Sequence, residues 1–234
     1  MGKVSEAADI VREAVNPPAP IKLTTLTLTG NEEPEVASIG PARFHAAAEA
    51  RQFLELLAYA SKPALQAPEG IDDLLRKEPN YVPALMARAA ERELQGNLAA
   101  ARQDYEKVLT VFQDFTPAKL KIAEQAAARA AADPKAYDLA VQARNAMPGD
   151  PAVARALGIL TYRQGTDFPR VVALMKQSLN AQPNDPRATL YLGLAQLKTN
   201  DKSAAKKSLQ AAVDAGLSNK DESAEAAKAL EALK

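Results

Sequence analysis

PAVARALGILTYRQG (Pro151–Gly165) and PRATLYLGLAQLKTN (Pro186–Asn200) decide the fold of this chain. Each follows an aspartate, opens on proline, and repeats apolar side chains every three or four residues until a glycine or asparagine stops it. Asp-Pro is a helix start: the carboxylate caps free N–H groups, and proline has no N–H to lose at the first helical position. The three- and four-residue spacing puts the apolar side chains on one helical face. Asp133-Pro134 has the same form. From Pro41 onward the chain reads as helices of roughly 10–20 residues. The breaks between them fall at Ser61–Pro68, Pro79–Asn80, Gly96–Asn97, Gln113–Pro117, Ala132–Pro134, Pro148–Asp150, Gly165–Asp167, Pro183–Asp185, Asn200–Asp201 and Gly216–Asn219.

The breaks are periodic. Pro148 and Pro183 stand 35 residues apart, Pro79 stands 69 before Pro148, and Gly96, Gly165 and Asn200 keep the same steps. One copy carries Leu157, Gly158 and Gly165, then Met175, Ser178, Leu179 and Pro183. The next carries Leu192, Gly193 and Asn200, then Ala205, Leu209, Ala212 and Val213. A two-helix period of about 34 residues with small and bulky residues in this order resembles the tetratricopeptide repeat. VPALMARAAERELQGN is a third copy, with Leu85, Ala89, Gly96, Ala101, Tyr105, Val108 and Leu109, and it lacks the closing proline. Pro117–Pro148 matches less well: Glu124 stands where glycine or alanine is expected, although Ala136, Ala140 and Ala143 follow in step. IDDLLRKEP, ending at Pro79, reads as the second helix of a further repeat whose first helix is Phe44–Ala60.

The resemblance covers residues 44–217 and implies an all-α, right-handed superhelical solenoid of antiparallel helix pairs. One pair cannot bury its apolar face alone, so pairs stack, and a terminal helix closes the end. The expected organisation is an N-terminal helix over 1–16, a linker over 17–40 with a short strand or hairpin, an array of about five pairs over 41–217, and a C-terminal capping helix over 218–234. In such an array the first helix of each pair lines a concave groove. The resemblance then places Lys121, Gln125 and Arg129 there, followed by Arg155, Ile159, Tyr162 and Arg163, and by Arg187, Leu190, Leu194 and Lys198; Met86, Ala90 and Glu93 precede them. Cations whose stems lie over apolar side chains suit an extended peptide with acidic groups or a free C-terminal carboxylate. The asparagine-and-lysine clamp of chaperone-binding members is missing, so a chaperone tail is not the expected ligand.

Composition narrows the function classes. The chain is 47% hydrophobic but only 5% aromatic, and alanine, the best helix former, makes up most of the difference. The formal net charge is zero, which lacks the basic excess of a nucleic-acid binder. With no cysteine, thiolate catalysis, sulfur-bound zinc, iron–sulfur clusters and disulfides are excluded. No apolar run reaches the roughly 20 residues that span a bilayer. MGKVSEAADIVREAV scatters its charges and does not read as a secretory signal, so for an exported protein the signal or anchor is expected outside this chain. His45 is the only histidine, with no second histidine or cysteine to share a metal, and it reads as structural or exposed. Asp72–Asp73 and Glu32–Glu33 read as solvated charges. There is no phosphate loop, dinucleotide fingerprint or nucleophile elbow. No catalytic residue and no cofactor is expected.

Near the N-terminus, Val4, Ala7, Ala8, Val11 and Val15 share a helical face. Ile21–Thr29 alternates as a strand and could pair with Glu35–Ile39, pair with a partner, or stay unpaired. The reading that emerges is a non-catalytic scaffold that binds a partner peptide or protein in a partly basic groove. The alternatives are a self-associating structural protein and the recruiting region of a larger enzyme. The resemblance extends to bacterial members serving secretion, pilus or polysaccharide machines, which implies a bacterial assembly in the periplasm or cell envelope. The partner's identity and the oligomeric state are not encoded in any motif.

Overall fold

The computed structural model describes residues 52, 55, 56, 58–60, 68–129 and 133–233. The expected helix over 4–15, the strand Ile21–Thr29 with its hairpin, Glu32–Glu33 and His45 lie outside the described residues, as does most of the helix expected over Phe44–Ala60. Among the described residues every regular element is an α-helix. The chain divides into two compact units, one through Asn97 and one from Leu98.

In the first unit α1 (Ile71–Lys77) packs on α2 (Val82–Leu94). Ile71 and Leu75 of α1 are buried, as are Leu85 and Ala89 of α2. Arg88 of α2 reaches the exposed Asp72 of α1 at 3.2 Å, so this carboxylate is paired and not merely solvated.

The second unit runs α3 (Leu98–Val111), α4 (Thr116–Ala127), α5 (Pro134–Ala146), α6 (Pro151–Arg163), α7 (Phe168–Ala181), α8 (Pro186–Lys198), α9 (Lys202–Asp214) and α10 (Lys220–Glu231). The aspartates before the prolines do what their position predicts. Asp133 accepts from the Ala136 N–H, Asp150 from those of Ala152 and Val153, and Asp185 from those of Arg187 and Ala188. The short turns inside the pairs take the left-handed backbone at Gly165 (φ 71°) and Asn200 (φ 65°). These residue types adopt it at least cost.

Helices α4 and α5, α6 and α7, and α8 and α9 pack as pairs. Each first helix also packs its backbone closely on the next first helix, α4 on α6 and α6 on α8, while the second helices stand further apart and meet through long side chains, as where Arg144 of α5 donates to Gln177 of α7 at 2.6 Å. The first helices therefore line the inner side of this unit. The terminal helix α10 packs on α8 and α9, where the first helix of another pair would go.

The N-caps Tyr81, Phe115, Asp150 and Asp185 recur at intervals of 34, 35 and 35 residues. Eight residues after each stands a small one: Ala89, Ala123, Gly158 and Gly193. This frame corrects the reading of the fourth segment. Ala123, fully buried, holds the small-residue position there, and Glu124 is the next residue along. Counting from Pro117 instead of from the cap shifts that helix by one residue.

Candidate functional site

The inner face of the second unit is built from side chains of α4, α6 and α8, with the first turn of α10 at its far end. Counted from the N-cap, Arg155 and Ile159 of α6 correspond to Leu120 and Glu124 of α4 and to Leu190 and Leu194 of α8. The same helical face thus carries a cation, a carboxylate or a leucine according to the copy.

Arg155 joins three helices. Its Nη1 donates to Asp185 at 2.8 Å and its Nη2 to Glu124 at 3.2 Å. Lys121 stands 3.7 Å from Glu124 on the other side. Asp185 caps α8 with Oδ1 and receives Arg155 on Oδ2. Burial alone would raise the Asp185 carboxyl, but Arg155 and the capping N–H groups outweigh it and hold it below the usual carboxylate range. Burial likewise works against the Arg155 charge, and Asp185 and Glu124 overcome it. Glu124, Arg155, Ile159 and Arg187 line a pocket of about 250 Å³ at this point.

A second cluster gathers around Glu222 of α10, which is buried. Arg187 donates to its Oε1 from Nε at 2.8 Å, with Nη2 at 2.7 Å. Tyr191 donates its hydroxyl to the same oxygen at 3.1 Å and accepts from Arg163 Nη2 at 2.9 Å. Arg163 Nη2 is itself 3.8 Å from Glu222. Both guanidiniums are held from behind by the last carbonyls of α4. Arg163 donates to Ala126 O at 3.1 Å, and Arg187 donates to Ala127 O. Ala126 O also accepts the Arg129 N–H of the closing turn at 3.0 Å, and both carbonyls stand at the negative end of the helix. Tyr162 completes the wall: its hydroxyl donates to Glu225 at 3.3 Å, and its ring meets the Tyr191 ring edge-on at 5.4 Å. Burial, together with the Glu225 charge, pushes the Tyr162 phenol far up, so it remains a neutral donor. Tyr162, Arg163, Tyr191, Glu222 and Glu225 line a pocket of about 310 Å³ whose rim carries the exposed Arg129.

The structure therefore brings Arg155, Tyr162, Arg163 and Arg187 together, and places Lys121 beside them. Ile159 faces the first pocket while almost wholly covered, and Gln125, Leu190 and Leu194 are buried. Lys198 is exposed at the end of α8. Sequence reasoning missed the carboxylates: Glu124, Glu222 and Glu225, and the second role of Asp185. The one signal for Glu222 was its place three residues after the Asn219 cap, the position of a capping-box glutamate. In the structure that side chain turns to the arginines, while Asn219 caps the N–H groups of Asp221 and Glu222. Among the described residues no group of three or more His, Asp or Glu side chains could hold a metal ion, and no helix is long and apolar enough to cross a membrane.

No family model matches the sequence, and no curated protein matches it. Solved structures do match. The fold is similar to that of PilW, a widely conserved type IV pilus biogenesis factor, at a TM-score of 0.54 and 17% identity, over 80% of this chain and 90% of that one. The chain has the tetratricopeptide-repeat fold. TTC0263, a thermophilic tetratricopeptide-repeat protein of Thermus thermophilus, aligns over 81% of this chain and 92% of its own at a TM-score of 0.48 and 17% identity. Yeast Tom70 aligns over 82% of this chain and 50% of its own at a TM-score of 0.36 and 14% identity. At these identities the likeness is one of fold alone. In this fold the glycine eight residues after the N-caps of α6 and α8 lets the paired helices approach. A Cβ on Gly193 would lie 2.8 Å from Leu209 Cγ and 3.0 Å from its backbone nitrogen.

Proposed function

We propose that this chain is a non-catalytic scaffold that holds a partner protein or peptide along the inner face of α4, α6 and α8. The observation that carries the reading is the packing of the first helices on one another. It turns separate repeats into one surface, to which α6 contributes Arg155 and Arg163 and α8 contributes Arg187. Stacked helix pairs offer such extended concave surfaces as their shared product. The guanidiniums are already paired with the chain's own carboxylates, which fixes their orientation in advance of binding. A partner presenting acidic groups fits the exposed Arg129 and Lys198 at the margins, and Lys121, which shares Glu124 with Arg155. The fold shared with PilW supports a place in a bacterial envelope assembly, of the kind that builds pili.

The test is a pulldown from native cells with the full chain. Reversing Lys121, Arg129 and Lys198 to glutamate is expected to reduce partner recovery at least tenfold with circular dichroism unchanged. Reversing Lys206 and Lys207, exposed on the second helix α9, is expected to leave it intact. Equal recovery from both variants would remove the inner face from the reading.

A further inference from the structure

The inner face ends on the chain's own C-terminal helix, and the means by which that helix is held are unequal. α10 buries Glu222, Ala226 and Ala229, whereas α8 buries eight residues including Leu190, Tyr191, Leu192 and Leu194. Hydrophobic stabilisation follows the apolar area removed from water, so two buried alanines and a half-covered Leu230 anchor α10 more weakly than α8 is anchored. Elements with few buried apolar contacts open at the lowest cost.

Glu222, by contrast, enters a built receptor. Arg187 grips it through two nitrogens, Tyr191 donates a hydroxyl to it, and Arg163 stands behind Tyr191 with its guanidinium 5.8 Å from the ring centre. The α4 carbonyls orient the two guanidiniums, and the Glu222 carboxylate supplies the one formal negative charge that faces them, closest to Arg187. A carboxylate this deeply buried is tolerated only with such partners. One turn further on, the Glu225 carboxylate takes the Tyr162 hydroxyl. The receptor thus reads two acids three residues apart at the start of a helix.

We infer that Arg163, Arg187, Tyr191 and Tyr162 form a carboxylate-binding site for the acidic first turn of a helix, that α10 fills it in cis, and that a partner segment with acids at the same spacing replaces α10. The inference rests on the inner face being the partner-binding surface and names what that surface recognises. α10 is then a resident ligand: it keeps a carboxylate on the arginines while no partner is bound, and it sets the affinity a partner must exceed. Exchange needs no change in the packing of α4 to α9, because the receptor residues all belong to α6 and α8 and their supports to α4.

The probe is a fluorescein-labelled peptide of residues 218–233, titrated into the full-length chain and read by anisotropy. Two variants loosen α10 without touching the receptor: Glu222→Gln removes its carboxylate, and Ala226→Gln puts a larger polar side chain where no space exists. Both are expected to bind the peptide at least tenfold more tightly than the unaltered chain, with affinity falling as salt rises. A peptide carrying Glu222→Gln is expected to bind the same variants at least tenfold more weakly. If Glu222→Gln does not fold, as circular dichroism would show, Ala226→Gln decides alone. The exchange is overturned if neither variant gains affinity over the unaltered chain, or if the two peptides bind alike. The assay needs no cellular partner, so its failure leaves the pulldown on Lys121, Arg129 and Lys198 to be judged by itself.

Discussion

The seam between α8 and α9 and the inner face beside it are two regions of one repeat held by opposite means. In the seam Leu209 is fully buried against Gly193, and the distances there leave no room for one added carbon. On the inner face, charges sit under partial cover: the side chains of Arg155 and Arg187 keep 28% and 25% of their exposure, and that of Asp185 keeps 9%. The seam depends on shape and is indifferent to charge; the inner face lays paired charges over buried Ile159, Leu190 and Leu194. The repeat thus has a part that must not move and a part that can exchange its partners.

The comparison is broken most severely at the seam. Leu209→Ala is expected to cost about 3 kcal/mol, because the surrounding helices cannot collapse into the space left behind. Urea denaturation of the full chain measures it, as a lower midpoint at unchanged slope. A loss below about 1 kcal/mol would mean the seam is not close-packed.

A smaller effect separates the two strong copies. Alanine in place of a helical glycine gains about 1 kcal/mol of helix propensity. At Gly193 the new carbon would meet Leu209 Cγ and backbone nitrogen, neither of which can swing aside, so Gly193→Ala should lose about 1 kcal/mol net of overpacking. At Gly158 the nearest obstacle is Met175 Cε, the free end of a flexible side chain, with Leu174 Cβ next at 3.2 Å. Gly158→Ala should therefore change stability by less than about 0.5 kcal/mol. Equal losses at both sites would mean that the obstacle's flexibility does not decide the cost.

The same contrast explains what could be read in the sequence. The seam is a local, one-dimensional pattern: a cap, a small residue eight on, a turn residue, then a bulky one in the second helix. Gly158 with Met175 and Gly193 with Leu209 were legible for that reason. The inner face is assembled from residues far apart in sequence, as Arg187 with Glu222 and Arg163 with Ala126 show. Charges at such separations carry no register in a single sequence, so the arginines were found and their carboxylates were not. Leu190 and Leu194 illustrate the other gap: a face can be named from the repeat, but whether another element covers it depends on the whole array. Glu124 was misread for a plainer reason. Phe115 caps α4 without a capping side chain, and the visible proline two residues on set the count one residue late.

The gentlest break concerns the charge that links the two regions, Asp185, which caps the helix of the seam and holds the arginine of the inner face. Asparagine caps helices about as well as aspartate, so Asp185→Asn keeps the cap and removes the charge given to Arg155. Asp185 titrates below the ordinary carboxylate range in the folded chain. A carboxyl depressed by folding contributes stability that is fully present above its unfolded value, about 3.9, and is lost as pH falls through the folded one. The substitution should therefore cost about 1 kcal/mol at pH 7, and the gap between the two proteins should close as pH falls below about 4. Thermal unfolding of both from pH 7 to pH 3 reads this directly. A gap that stays constant across that range would mean that Asp185 serves the seam through its cap alone and that its charge does nothing for the inner face.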